Sequence, residues 1–180
     1  MNRQDSSTRF ANHGFTLVEI MIVVALMGII AVSVIPSMNN VQRMREGAAR
    51  DDVARMLDIT RSRAMATGLP TGVRVDVNES TLTLVELTGG TTITQLIDPL
   101  TYNERVLRIA DLYNGVEIDT LTNGDGSSGS GYVWFGYDAT PHTRLANGTF
   151  DADNDGPVRI ELTSGQTIVV HPFSGVVELQ

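Results

Sequence analysis

The chain has 180 residues, 42% of them apolar, which allows one folded domain with a core plus an appendage. Its formal charge is −8, and residues 65–180 carry five Arg against fifteen Asp and Glu, so the body repels phosphate backbones, which argues against nucleic acid as a partner. There is no Cys, which removes disulfide frameworks and thiolate metal sites, and all thirteen basic residues are Arg.

Residues 1–14, MNRQDSSTRFANHG, are polar, have no helical period and end in Gly14 directly before an apolar run. That run, Ile20 to Ile35, is broken only by Gly28 and Ser33, and Phe15, Leu17 and Val18 lengthen it. As a helix, residues 15–38 would span roughly 36 Å at about 1.5 Å per residue, enough for a hydrocarbon layer of about 30 Å. An ordinary secretory signal is one reading, with Ala31-Val32-Ser33 as its cleavage site. Glu19 argues against it, because an ionised carboxylate costs roughly 2.5 to 3.5 kcal/mol at mid-helix and a signal peptide gains nothing from it. Such a residue needs a partner. A cut after Gly14 would turn Phe15 into a new α-amine, which can neutralise Glu19 of a neighbouring, axially offset chain, or contact its own Glu19 four residues on. Flanking charge does not fix the orientation: Arg3 and Arg9 precede the run, while Arg43, Arg45 and Arg50 follow it.

The sequence Gly14-Phe15-Thr16-Leu17-Val18-Glu19, followed by an apolar helix and Pro36, resembles the class III signal of type IV pilins and type II secretion pseudopilins. The resemblance implies that residues 1–14 are a leader removed by a prepilin peptidase, that Phe15 becomes an N-methylated first residue, and that Glu19 serves assembly. It also implies that Pro36 bends the helix, and it supplies the orientation: a single-pass protein of the bacterial inner membrane with its globular part in the periplasm. The implied partners are other pilins or pseudopilins, met through the N-terminal helix, and an inner-membrane assembly platform.

Residues 39–67 predict a continuation of the helix. Ala49, Val53, Met56, Leu57, Thr60 and Ala64 recur at spacings of three and four and form one apolar stripe expected to pack on a sheet. Mixed charges fill the opposite face, with pairs such as Asp51 to Arg55; a solvated face and salt bridges between subunits are both readings of it. Gly68-Leu69-Pro70 ends the helix.

From Pro70 the period changes to two. Val73, Val75 and Val77, a turn at 78–80, then Leu82 and Leu84 with Glu86 on the same face predict a hairpin. Further strands are expected at 91–97, 105–110, 116–121, 132–137, 158–162, 166–170 and 176–179. The Gly- and Ser-rich stretch 123–131 reads as a flexible linker, and 151–157 as a tight acidic loop. The expected class is α+β, a long N-terminal helix laid on antiparallel sheets in a globular domain over residues 68–180.

The Arg61-Ser62-Arg63-Ala64 run, the Gly-Leu-Pro break, Val73-Arg74-Val75, Trp134-Phe135-Gly136 and the closing segment from Ile168 to Leu179 resemble the GspH/FimT branch of minor pilin-like proteins. That resemblance implies a minor pseudopilin near the tip of a periplasmic pseudopilus, or alternatively a minor type IV pilin serving pilus biogenesis, adhesion or DNA uptake. The basic residues through which some members bind DNA are missing, since the segment Ser174–Glu178 contains no Arg.

No cofactor is required by this reading, but Asp151, Asp153 and Asp155 before Gly156 match the first half of a calcium loop. The closing Glu is absent: its position holds Leu162, and Glu161 lies one residue off on a strand, facing the other way. A solvated turn is the competing reading. His142 and His171 are single, which does not make a zinc site, and no nucleophile elbow or phosphate loop is present, so no enzymatic activity is expected. Trp134, Phe135 and Tyr137 read as core or as a stacking platform.

Overall fold

The computed structural model describes residues 15–97 and 102–180, the side chains of 32–38 excepted. The chain divides into two units, 1–41 and 42–180. Helix α1 (Leu17–Thr67) is the first element, and its residues from Gln42 onward belong to the second unit.

In that unit the apolar stripe is buried as its spacing requires: Ala49, Val53, Met56, Leu57, Thr60 and Ala64 are all in the core. Thr60 satisfies its hydroxyl by donating to the Met56 carbonyl one turn back, at 2.7 Å. The helix stops at Gly68, which takes a left-handed φ of 69° while its N–H bonds the Ala64 carbonyl at 3.0 Å.

Beyond it come β1 (Thr71–Asp76), β2 (Thr81–Thr88), β3 (Thr92–Gln95), β4 (Val106–Arg108) and the helical turn α2 (Ile109–Leu112). They are followed by β5 (Ile118–Thr122), β6 (Gly131–Phe135), β7 (Pro141–Arg144), β8 (Phe150–Asp153), β9 (Val158–Leu162), β10 (Thr167–Val170) and β11 (Val177–Leu179). The hairpin β1–β2 is antiparallel, with Val73 opposite Leu84 and Val75 opposite Leu82. Asp76 holds the turn by accepting from the N–H groups of Asn78 and Glu79 at 3.1 and 3.2 Å.

Two antiparallel sheets result. The first runs β3-β2-β1-β6-β7-β8, with β4 sharing the outer edge of β2. The second runs β11-β10-β9-β5. Val73, Val75, Leu82, Leu84 and Phe135 from the first sheet meet Ile160, Leu162, Ile168 and Val170 from the second and the helix stripe in one core. Glu86, on this inward face, is compensated by Arg63 of the helix at 3.0 Å.

The opposite face of the first sheet carries a separate, smaller cluster of Val85, Leu87 and Trp134, with Ile93 and Tyr132 packed against it. Gly72 makes room for it, since a Cβ there would lie 2.6 Å from the Trp134 ring.

The architecture is the expected α+β arrangement, with local differences. Residues 109–112 form a helical turn where a strand was expected through Ala110. Strands β7 and β8 were not anticipated, and β8 takes up the start of the presumed acidic loop. The stretch 123–131 is an ordered turn: Asp125 accepts from the Ser127 N–H and hydroxyl at 2.8 and 2.6 Å, and the Asn123 N–H bonds the Ser127 carbonyl. On α1 the acidic partner of Arg55 is Asp52, one turn back at i,i+3, and Asp51 pairs with Arg50 instead. Asp52 has a further reason to face inward, because it also accepts from the Tyr113 hydroxyl.

Candidate assembly site at the helix N-terminus

The described part of the first unit presents an exposed apolar surface. Every residue from Phe15 to Ala31 is exposed, and Phe15 reaches 79% exposure. Leu17, Val18, Met21, Val24, Met27 and Ile30 point in all directions around the axis, so this is an all-round apolar helix rather than an amphipathic one. A helix of that kind is stable only when surrounded, by lipid or by other helices.

At its start, two side chains and two backbone groups close a ring. The Thr16 hydroxyl accepts from the Glu19 N–H at 3.2 Å, and the Glu19 carboxylate accepts from the Thr16 N–H at 3.4 Å. This is a capping box: Thr16 stands at the N-cap position and Glu19 three residues into the helix, so two N–H groups that the helix leaves unpaired are satisfied reciprocally. The carboxylate also lies in the first turn, where the helix dipole favours a negative charge. Beside the α-amine partners expected from the sequence, of its own or a neighbouring chain, Glu19 thus has a donor in its own helix. Thr16 was missed as a partner, although Thr-x-x-Glu before an apolar run is the sequence mark of this cap.

Gly14 lies outside the described residues. Phe15 directly precedes the capping threonine, and Pro36 falls within the span of α1. Among the described residues no helix is long and apolar enough to cross a membrane. The anchor expected over residues 15–38 is carried by the sequence alone.

The other candidate residues lie in the second unit. Asp151 and Asp153 are on β8, an exposed edge strand, and Asp155 is in the turn after it. Among the described residues no group of three acidic or histidine side chains is placed to hold a metal ion. An extended strand spreads its carboxylates along an edge, where charge discourages pairing with another sheet. Trp134 and Phe135 are buried on opposite faces of β6 and Tyr137 is exposed beyond its end, so the three do not make a platform.

His142 and His171 are far apart in role. His171 pairs with Glu178 across the closing hairpin at 2.6 Å. His142 is buried, and its Nε2 accepts from Arg144 Nε at 2.8 Å, which fixes a neutral ring with its proton on Nδ1. Arg144 lies over the rings of Trp134 and Phe150, each at 5.9 Å, and donates to the Gly148 carbonyl at 2.8 Å. Burial pushes the His142 pKa below its ordinary value, and the Arg144 charge acts in the same sense.

Comparison with known proteins bears on both units. Residues 9–35 match the family model of the prokaryotic N-terminal methylation motif. The structure of the minor pseudopilin EpsH from the type 2 secretion system of Vibrio cholerae matches with a TM-score of 0.50 at 15% identity, covering 74% of this chain and 94% of that one. A second crystal structure of EpsH from Vibrio cholerae gives a TM-score of 0.47 at 14% identity, over 74% and 93% of the two chains. No curated protein matches the sequence.

Proposed function

We propose, for a chain that is pilin-like in its N-terminal methylation motif and in its fold, that it is a minor pseudopilin of a type II secretion system. In this reading a prepilin peptidase removes residues 1–14, Phe15 is N-methylated, and the apolar helix holds the protein in the inner membrane with the β-rich unit in the periplasm. Assembly then moves that helix from lipid to the company of other pseudopilin helices, near the tip of a periplasmic pseudopilus. The role is structural and involves no catalysis by this chain.

The observation that carries the proposal is the juxtaposition at residues 14–19. A glycine ends a polar segment, the next residue begins an all-round apolar helix, and a carboxylate sits in the first turn of that helix. The methylation motif spans this junction. A secretion system is favoured over a type IV pilus that takes up DNA because the body is acidic and its closing hairpin lacks basic residues.

The intact mass of the protein extracted from membranes tests the proposal. The expected species starts at Phe15 and carries one methyl group. A chain starting at Val34, or one still carrying Met1, overturns it.

A further inference from the structure

Behind the first sheet, on the face away from the core, lies a cleft of about 600 Å³. Val85, buried on β2, and Ile93 of β3 give it an apolar floor. Tyr132 of β6 flanks it, and the plane of that ring is set by stacking on Trp134, with centroids 5.7 Å apart and planes inclined by 19°. Trp134 in turn is held between Gly72, which has no Cβ to obstruct it, and the Arg144 guanidinium. The orientation of the aromatic wall is therefore set by contacts within the chain.

The rim is polar and of mixed sign. Arg74 stands on one side, half-exposed and 3.5 Å from Asp76. Gln95 and Glu104 stand together on the other, with the Gln95 side-chain amide turned toward the carboxylate. The same three residues also line a smaller, strongly polar cleft of about 150 Å³, which continues past Thr81 and Thr83 to Arg108. The two clefts thus adjoin along Arg74, Gln95 and Glu104 and make up a groove with one shared rim.

This combination restricts the ligand. The rim carries Arg74 and Arg108 against Asp76, Glu79 and Glu104, and Arg74 is already paired with Asp76, so the groove offers no concentrated charge of either sign to an ionic ligand. A purely apolar molecule would strip water from the rim groups without replacing their hydrogen bonds. A neutral molecule with many hydroxyls fits. Its C–H face can lie on the electron-rich face of Tyr132, and its hydroxyls can donate to Glu104 and accept from Arg74 and Gln95. A concave site with an apolar floor and a few placed polar groups is the usual form of a small-ligand pocket.

We propose that this groove is a binding site for a neutral oligosaccharide, with one sugar ring against Tyr132 and its hydroxyls bonded by Arg74, Gln95 and Glu104. The site lies within the second unit and does not depend on the filament role.

The test is a titration of the full chain, in a detergent without a sugar headgroup, followed by the NMR signals of the Tyr132 ring and the Gln95 side-chain amide. Cellotriose is the probe, and trigalacturonate and trilysine are its charged counterparts. Saturable shifts at both groups with cellotriose, and weaker binding of the two charged probes, are the expected result. Tyr132→Ala and Glu104→Ala should each weaken cellotriose binding about tenfold, which corresponds to about 1.4 kcal/mol. Should Tyr132→Ala fail to fold, Gln95→Ala on the exposed rim takes its place with the same expected loss. The absence of a saturable shift, tighter binding of either charged probe, or unchanged affinity in the variants would overturn the proposal.

Discussion

The imidazole of His142 shows how one buried side chain ties stability to acidity. Arg144 can donate to its Nε2 only while that nitrogen is unprotonated. Apart from Arg144, the charged groups that act on it are Asp138 in the turn after β6 and Asp153 on β8, both favouring the protonated ring, and burial outweighs them. A folded-state pKa below the ordinary value of about 6.5 means that the unfolded chain takes up the proton first as pH falls, so folding is weakened below that value. Asp138, whose hydrogen bond from Thr140 holds its carboxyl below the usual range, also loses its contribution in acid, but only near pH 4 and below. The melting temperature should therefore fall between pH 7.5 and pH 5.5, and His142→Gln should flatten that slope; an equal slope in the variant would show that another group is responsible. Glu19 supports a different prediction. Glu19→Val removes half of the capping box, worth about 1 kcal/mol, yet relieves the cost of a charge in hydrocarbon. Membrane insertion should survive and filament incorporation should fall, measured as the variant's share of sheared filaments at native expression. Normal incorporation would leave the carboxylate as a cap alone.

Helix α1 is one element with two kinds of surface. Up to Ala31 its side chains are exposed on every side, whereas from Ala49 a single stripe is buried. A truncated protein that begins at Gln42 keeps the stripe and both sheets, so it should fold alone as a monomer with helix and sheet signals in circular dichroism. One that begins at Gly68 exposes Val73, Val75, Leu82, Leu84 and Phe135, which lose their cover, and it should aggregate. A folded, soluble protein from Gly68 would show that the helix is dispensable to the core. The stripe was legible in the sequence because its spacing is local, and so was the β1–β2 hairpin, where alternation and a turn coincide. Strands β7 and β8 were not: Pro-His-Thr-Arg and Phe-Asp-Ala-Asp have no alternating apolar pattern, and their conformation is set by pairing with β6 and with each other. The helix cap lay in plain view as Thr16 and Glu19, but the cost of the charge drew attention away from its local use. The His142 and Arg144 arrangement could not be read at all, because Trp134, Phe150 and Gly148 reach it only through the fold.

The second unit as a whole is layered: a main core between the helix and the two sheets, and a smaller apolar cluster on the outer face of the first sheet. The chain has one tryptophan, and it belongs to the smaller layer. Its indole N–H is buried without a hydrogen-bond partner, and a guanidinium lies over its ring. Emission from this protein therefore reports on the outer layer alone, at short wavelength while that layer is closed and shifting to the red once water reaches the ring. Far-ultraviolet ellipticity, by contrast, sums over the helix and both sheets. Read together on the same sample, the two optical signals distinguish peeling of the β7–β8 hairpin from collapse of the core, so the molecule already contains the single-site label that an experimenter would otherwise have to introduce.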